Sequence, residues 1–343
     1  MPYYRTAEAL PQGSPAKVGV LLVNLGTPDS PSYRDVQRYL REFLSDRRVI
    51  DTPRAVWLPL LYGVVLPFRP LRTARNYRKI WMPEGSPLAV YSKRLADKIA
   101  ASLLAKMGAG VEVELAMTYG NPSIASALAR LAAKNVTRLL VLPLYPHYCA
   151  STTGSVFDAV TAALNRVRYL PETRFVNDYH DDALYIEALK DSIEAHWAAA
   201  GERSHLLFSY HGIPRSYVER GDPYQRQAET TTALTVRALG LAAGDYSHCY
   251  QSRFGRVEWL KPYTVDTIEK LAADGVKRLT VVSPAFAVDC LETLEEIAIQ
   301  YRELFLEKGG EELKLVPALN DSDAHVAALS RIIGSHLGGW VLR

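Results

Sequence analysis

The amino-acid sequence predicts an α/β protein with two domains, each built on an open parallel sheet. Short apolar runs rich in β-branched residues end at Gly or Pro, as in residues 18–24 (VGVLLVN) and 206–214 (LLFSYHGIP), which is typical of buried strands that lead into tight turns. Helical patterns lie between these runs, for example at residues 92–104 and 182–199. A third observation, a repeated helix–strand unit, relates the two halves of the chain.

The repeated unit consists of a helix, a short turn, a buried strand and a proline. One copy reads LAAKNVTRLLVLP from Leu131, and the other reads LAADGVKRLTVVSP from Leu271. Each is preceded by a helical pattern that follows a proline, Pro122 or Pro262. This order is the second half of a crossover between parallel strands. We therefore predict two related Rossmann-like domains, with an active-site cleft between them at the carboxyl ends of the strands.

The pattern also places the domain boundaries. The first domain is predicted at residues 1–150, and the second, at residues 151–316, carries His211 and Glu292. Residues 317–343 include an amphipathic helix that begins at Asp321 or Ser322 and is expected to complete the first domain. Neither half contains GxGxxG or GxxxxGK[ST], so neither a dinucleotide nor a P-loop site is predicted.

Composition and charge narrow the class of protein further. The 343 residues include 40 Lys and Arg against 37 Asp and Glu, a net charge of +3, which is a much weaker basic bias than nucleic-acid binding usually shows. The N-terminal segment has no secretion pattern, and no apolar stretch is long enough to span a membrane. The three cysteines, Cys149, Cys249 and Cys290, form no CxxC pair. We expect a soluble cytoplasmic protein without disulfides.

A histidine lies at the end of a predicted strand of the second domain. His211 directly follows an apolar strand and precedes Gly212, so we expect it to face the cleft. Its ordinary pKa of about 6.5 suits a proton acceptor or a metal ligand. A hydrogen-bonded core histidine is the alternative, and the position alone favours neither.

A row of carboxylates is predicted on a later helix. Asp289 is a suitable N-cap, and Glu292, Glu296 and Gln300 recur at i, i+4 and i+8 of an α-helix, so they are expected to share one face and to offer oxygen ligands to a cation. The alternative is a solvated acidic face near a helix N-terminus.

An apolar lip is predicted at about residues 55–80. Residues 57–68 (WLPLLYGVVLPF) are strongly apolar but interrupted by two prolines and a glycine, which predicts a mobile flap rather than one regular helix. The basic residues that follow, spaced three apart, are predicted to line one helix face: Arg69, Arg72, Arg75 and Arg78. Such a segment suits a flat anionic ligand or an anionic membrane surface. A buried loop beside a solvated helix is the alternative.

Other motifs point to no competing chemistry. No HExxH, no paired CxxC and no GxSxG occurs, so zinc-hydrolase and serine-hydrolase sites are not predicted. Tyr145, Tyr148, Tyr179 and Tyr217 are candidate ring-stacking residues among 20 tyrosines. The residues alone thus indicate metal chemistry on an apolar anion, without identifying that anion.

Nine short motifs, in order, resemble those of bacterial ferrochelatases over nearly the whole chain. They are NLGTP (24–28), YRKIWMPEGSPL (77–88), TYGNPSI (118–124), LYPHYCASTTGS (144–155), LFSYHGIP (207–214), RGDPY (220–224), YQSRFG (250–255), WLKP (259–262) and FAVDCLETLEEI (286–297). The resemblance implies two Rossmann-like domains that clamp a porphyrin and insert Fe²⁺ into it, with protoporphyrin IX as the expected substrate and protoheme as the product.

The resemblance also implies roles for individual residues. His211 and Glu292 match the catalytic pair on the metal-insertion side of the ring, and Glu296 continues the set of metal-binding residues. Tyr145 matches an aromatic porphyrin contact, and Arg78 lies in the segment that holds the propionates. Together with strand-end and aromatic positions, this gives the predicted substrate-binding set Leu25, Arg78, Tyr145, Tyr179 and Ser209.

Three departures from the family pattern modify these expectations. Gln300 replaces a frequent acid, Cys290 replaces a frequent His, and the C-terminus ends HLGGWVLR without Cys. We therefore expect no [2Fe-2S] cluster and no required cofactor. From the apolar lip and its arginines, we expect weak peripheral contact with the inner face of an anionic membrane. The oligomeric state stays open. A related chelatase acting on coproporphyrin or another tetrapyrrole, and a non-catalytic heme-binding protein, are the alternative functions.

Overall fold

Two four-stranded parallel sheets organise the computed structural model, which describes residues 15–255 and 257–340. The first sheet has the order β2-β1-β3-β4, and the second has the order β6-β5-β7-β8. The strands are β1 (Lys17–Thr27), β2 (Val111–Gly120), β3 (Val136–Pro143), β4 (Glu172–Phe175), β5 (His205–His211), β6 (Tyr246–Gln251), β7 (Arg278–Val282) and β8 (Glu312–Leu315). The two sheets have the same strand order, which agrees with the two related domains that the internal repeat predicted. The α/β fold class is confirmed.

The helices connect these strands. They are α1 (Tyr33–Ser45), α2 (Arg54–Leu60), α3 (Leu66–Ile80), α4 (Pro87–Met107), α5 (Ile124–Ala133), α6 (Ser155–Leu164), α7 (Ala183–Ala200), α8 (Arg215–Glu219), α9 (Tyr224–Leu239), α10 (Thr264–Ala273), α11 (Arg302–Glu307) and α12 (Asp323–His336). Within the described residues, three segments are π-helical: Leu61–Val65, Ala150–Gly154 and Glu292–Tyr301. The two copies of the repeat correspond to α5–β3 and α10–β7.

An interior strand of each sheet, β1 in the first and β5 in the second, is apolar on both faces. In β1, Leu21 and Leu22 point to opposite faces and both are fully buried, and in β5 Leu207 and Phe208 do the same. Strands covered by helices on both faces must be continuously apolar rather than alternating. This is why the strand runs are visible in the sequence.

The chain forms two units, and each is discontinuous. The first unit comprises the described residues up to 145, residues 150–178 and the residues from 326 onward, and the second comprises residues 146–149 and 179–325. Residues 151–178 thus lie in the first unit, beyond the boundary that the sequence pattern placed at residue 150. The reason is β4, whose residues Glu172–Phe175 pair with Arg138–Val141 of β3.

The helices that follow the last strand of each sheet belong to the other unit. Helix α7 follows β4 but lies in the second unit, and α12 follows β8 but lies in the first from Val326 onward. Its C-terminal end is held there by Trp340, whose ring stacks under the Arg174 guanidinium at 4.0 Å and whose indole N–H donates to Glu172 at 2.8 Å. Arg138 also donates to the Trp340 carbonyl oxygen at 2.8 Å.

Among the described residues, no helix has the length and apolar character needed to cross a bilayer.

Candidate active site

His211 is the last residue of β5, at the carboxyl end of the second sheet, and its Cα partner is Gln251 at the end of β6. Its half-buried ring lies near Trp259 and Phe286, with centroid distances of 6.3 and 6.5 Å. Its Nδ1 lies 2.6 Å from the Gly212 carbonyl oxygen. A carbonyl oxygen only accepts, so Nδ1 carries the proton and Nε2 keeps its lone pair. The imidazole is therefore set up to accept a proton or bind a metal through Nε2.

Gly212 allows close packing directly after His211. Its N–H donates to the Gln251 carbonyl oxygen at 2.8 Å. A Cβ at this position would lie 2.9 Å from that oxygen and 3.0 Å from the Trp259 ring, closer than a side chain tolerates without movement of the backbone. Because Gly212 has no side chain, the end of β5 that carries His211 can pack directly against Gln251 and Trp259.

The predicted acidic helix is a π-helix, Glu292–Tyr301. Its backbone bonds join residues five apart, so side chains at i and i+5 meet. Gln300 donates to Glu295 and Tyr301 donates to Glu296, each at 2.5 Å. The predicted row at i, i+4 and i+8 is therefore wrong in detail, because it assumed α-helical spacing. Gln300 pairs with Glu295 instead of continuing a row with Glu296.

Glu296 accepts hydrogen bonds from three neighbouring residues. The Ser252 N–H and hydroxyl donate to it at 3.0 and 2.6 Å, and the Gln251 amide donates at 3.4 Å. Tyr301 completes the set with its phenol. Burial, followed by the charge of Glu296, raises the pKa of Tyr301, which keeps the phenol protonated as a donor. The oxygens of Glu296 are thus occupied by donors from Gln251, Ser252 and Tyr301.

Glu292 begins the π-helix beside Cys290. Burial raises the pKa of the Cys290 thiol well above its ordinary value, and the charge and hydrogen bond of Glu292 raise it further. The thiol is therefore protonated and does not supply a thiolate ligand. Asp289 is not the N-cap that the sequence predicted. Its carboxylate instead accepts from the Thr293 hydroxyl at 2.9 Å and the Asn320 amide at 2.7 Å.

Two of the predicted substrate contacts are covered by protein. Ser209 is 0% exposed, and its hydroxyl donates to the Gln251 side-chain oxygen at 2.7 Å. Tyr179 is 3% exposed and packs edge-on against Tyr185 at 5.5 Å. The prediction that these side chains bind the substrate is corrected: strand-end position and aromatic character did not reveal that both are core residues.

The other predicted contacts lie in the first unit. Leu25 is half-buried near the end of β1, and Tyr145 follows β3 and packs at the edge of the core. Gly26, next to Leu25, has φ +109°, and a Cβ there would lie 1.8 Å from the Tyr119 carbonyl oxygen. Arg78 is exposed in the last turn of α3. Leu25 and Tyr145 thus lie near the carboxyl ends of neighbouring strands, where α/β proteins bind ligands.

The apolar lip is helical, contrary to the expectation that its prolines and glycine prevent one helical run. Helix α2, the π-helix Leu61–Val65 and α3 follow one another without a break from Arg54 to Ile80. The π-helical turn joins the two proline-containing helices. Trp57 and Leu61 are buried, with the Trp57 indole donating to the Leu44 carbonyl oxygen at 2.7 Å.

The outer face of this segment is apolar, followed by a basic stretch. Its exposed apolar side chains are Val56, Leu60, Tyr62, Val64, Phe68 and Leu71. The side chains of Arg69, Arg72, Arg75 and Arg78 are also exposed. Large exposed apolar patches of this kind mark interaction surfaces.

The roles of Gln251 and Ser252 were not predicted from the sequence. They belong to YQSRFG, a motif that contributed only to the family resemblance. Their position at the end of a strand, opposite the end of the His211 strand, is the signal that would have identified them.

Solved structures that match this fold include two proteins named SirB and CbiX. SirB of Bacillus subtilis with Fe³⁺ matches with a TM-score of 0.57 at 11% identity, over 94% of this chain and 97% of that one. CbiX, described as the terminal enzyme of siroheme biosynthesis in denitrifying bacteria, matches with a TM-score of 0.53 at 15% identity, over 93% and 100%. At these identities the likeness shows the fold alone, a two-domain α/β architecture.

Sequence relatives define the family. A family model described as ferrochelatase matches residues 17–337. The ferrochelatase of Vibrio parahaemolyticus is 48% identical over 321 residues, 94% of this chain and 98% of the relative. That of an Azoarcus species is 50% identical over 329 residues, 96% and 90%. The chain belongs to the ferrochelatase family.

Proposed function

We propose that this protein is a lyase that inserts Fe²⁺ into protoporphyrin IX, releasing two protons and forming protoheme in the last step of heme biosynthesis. Family membership supports the reaction. The main structural support is the hydrogen bond from the His211 Nδ1–H to the Gly212 carbonyl oxygen, which leaves Nε2 as the basic atom of the ring. Fe²⁺ is a substrate here, and no further cofactor is required.

His211 is proposed to accept pyrrole protons. Two N–H protons must leave the macrocycle as the metal–nitrogen bonds form, and the free Nε2 of His211 can accept a proton in this transfer. When Nε2 takes a proton, the Nδ1–H bond to the Gly212 oxygen persists and stabilises the imidazolium. Binding energy spent on ruffling the ring exposes its nitrogens and brings it closer to the transition state.

Glu292 is proposed to deliver iron and to balance the charge of the imidazolium. Oxygen and imidazole ligands together suit Fe²⁺, and they also suit Zn²⁺ and Co²⁺. Glu296 was expected to bind metal directly. Because its oxygens already accept several hydrogen bonds, we assign direct contact to His211 and Glu292 and propose Glu296 as a fixed negative charge behind them.

Substitutions at the catalytic pair test this proposal. His211→Ala should abolish iron insertion while leaving porphyrin binding nearly intact, because the ring is held mainly by apolar contacts. Glu292→Gln, which is nearly isosteric, should also collapse turnover without unfolding. Anaerobic mixing with Fe²⁺ and either protoporphyrin IX or coproporphyrin, followed at the Soret band, measures both the rate and the porphyrin preference. Insertion by His211→Ala at the wild-type rate would refute the assigned base.

We further propose that Leu25, Tyr145 and Arg78 contact the porphyrin, with Arg78 binding a propionate. The exposed face of the lip would give this poorly soluble substrate an apolar entry and would associate weakly with anionic membrane at the cytoplasmic face. Basic residues near a charged surface contribute about 1 kcal/mol each. The proposal that the enzyme works without an iron–sulfur cluster rests on the sequence, whose three cysteines are dispersed.

A further inference from the structure

Gln251 joins the two elements that carry His211 and Glu292. Through its backbone it is the register partner of His211, and its carbonyl oxygen accepts from the Gly212 N–H at 2.8 Å. Through its side chain it reaches the π-helix, where its amide donates to the Glu292 carbonyl oxygen at 3.2 Å and to Glu296 at 3.4 Å. One residue thus contacts both the end of β5 and the first turn of the π-helix.

The side chain of Gln251 is itself held in one orientation. Its oxygen accepts the Ser209 hydroxyl at 2.7 Å, and Ser209 lies 3.1 Å from the Thr264 hydroxyl. Since Ser209 donates to the oxygen, the amide nitrogen must face the π-helix. Gln251, Ser209 and Thr264 are all buried. Reversing the amide would set its oxygen against the Glu292 carbonyl oxygen and the Glu296 carboxylate, which is costly for buried groups.

Ser252 adds a second attachment to the same carboxylate. Its N–H and hydroxyl both reach Glu296, and Ser252 has φ +63°, an uncommon value for a residue other than glycine. A backbone in this region persists when the surrounding contacts determine it. Here the two hydrogen bonds to Glu296 supply such contacts.

We propose that Gln251 and Ser252 are positioning residues that hold Glu292 in register with His211 by clamping the π-helix through Glu296. The inference rests on the proposed function for its kinetic consequence, but the clamp itself is a property of the fold. It assigns Glu296 a mechanical role in addition to its charge, and it explains why a carboxylate near the site is occupied by donors from β6. Neither Gln251 nor Ser252 acts on the substrate in this proposal.

Substitution of Gln251 separates positioning from mere stability. Gln251→Leu keeps the volume but removes all three side-chain bonds, and should lower kcat about tenfold to hundredfold, as small misplacements of catalytic groups do, with KM for porphyrin unchanged. The matched control is Gln227→Leu: Gln227 is also buried in the second unit, where its oxygen accepts the Tyr148 N–H at 2.6 Å. We expect the control to retain kcat. Equal kcat losses in the two variants would overturn the proposal.

A compensating pair provides a rescue test. Gln251→Glu still accepts from Ser209 but turns an acceptor and a negative charge toward Glu296, so it should be less active than Gln251→Leu. Adding Glu296→Gln restores a donor–acceptor pair with the roles exchanged, and should recover activity relative to the single Gln251→Glu variant. A double variant no more active than the single variant would contradict the clamp.

Amide hydrogen exchange tests the clamp independently of catalysis. Residues 292–301 should exchange faster in Gln251→Leu than in the wild type, whereas Gln227→Leu should leave their protection unchanged. Unchanged protection in Gln251→Leu would refute the clamp even in an active enzyme. A wild-type protein that inserts no iron would refute the proposed function alone, since the exchange result would still decide the clamp.

Discussion

Three histidines of the second unit are expected to make its stability depend strongly on pH: His147 and His325 are buried, and His248 is partly buried. Burial lowers the pKa of His147 to about 3 and those of His248 and His325 to about 4. Each makes a hydrogen bond compatible with the neutral ring: His147 with the Thr231 hydroxyl at 2.9 Å, His248 with the Thr232 hydroxyl at 2.9 Å, and His325 with the Asn320 carbonyl oxygen at 2.7 Å. Protonation therefore favours the unfolded chain.

The sign and size of the effect follow from linkage. In the unfolded chain each histidine titrates at about 6.5, so between about pH 6.5 and pH 4 the unfolded state binds protons that the folded state excludes. Stability is then fully present above pH 6.5 and falls as the pH decreases. Each histidine contributes up to about 1.4 kcal/mol per pH unit, so three together give about 4 kcal/mol per unit near pH 5.

Urea unfolding followed by far-UV circular dichroism, at several pH values from about 7 to about 5, measures this slope. The variant His248→Gln keeps a polar group beside Thr232 but cannot titrate, so it should lose about a third of the slope. A wild-type slope below about 1 kcal/mol per unit would mean that the folded protein accepts these protons, and the assigned burial effect would be wrong.

Two further predictions concern the lip and the strand end of His211. Replacing the exposed Leu60, Val64 and Phe68 with Ser should weaken sedimentation with anionic vesicles and raise KM for porphyrin but not for iron. Leu61 is left unchanged because it is buried, and replacing it would destabilise the core. Wild-type behaviour of the triple variant would refute the lip assignment. Gly212→Ala should lower kcat while the protein stays folded, because the added Cβ would lie too close to the Gln251 carbonyl oxygen. A fully active variant would show that this close packing has no role in catalysis.

The fold was predictable because its central strands are buried on both faces. The continuous apolar runs of β1 and β5 can be recognised directly in the sequence. The repeated α5–β3 and α10–β7 units showed that the two halves of the chain are related. The boundary was misplaced because β4 is four residues long and reads ETRF, without an apolar run. Only its pairing with β3 shows that it is a strand of the first sheet.

The site was predictable in its residue types but not in its spacing. His211 was identifiable from its position after a strand, and the acidic residues from their density. A π-helix differs from an α-helix by one residue per backbone bond, and side-chain spacing in the sequence does not separate the two patterns. Long-range hydrogen bonds such as those from Ser252 to Glu296 join residues far apart in the chain, so they leave no local signal.

The prediction that the proline-containing lip is not one helical run was wrong for a related reason. Pro59 and Pro70 lie inside helices, and proline removes one donor without forbidding helical dihedral angles. Tertiary packing of Trp57 and Leu61 outweighs the lost bonds. A rule based on local propensity therefore predicted a break where the structure has a π-helical turn.

The exchange of α7 and α12 between the units bears on how the protein is made. During synthesis the first sheet emerges well before residues 326–340, which supply its last helix. Until the ribosome reaches them, the surface that Trp340 later covers at Arg174 and Glu172 stays exposed. The first unit therefore cannot finish folding on the ribosome ahead of the second, and no single cut in the chain yields two complete units.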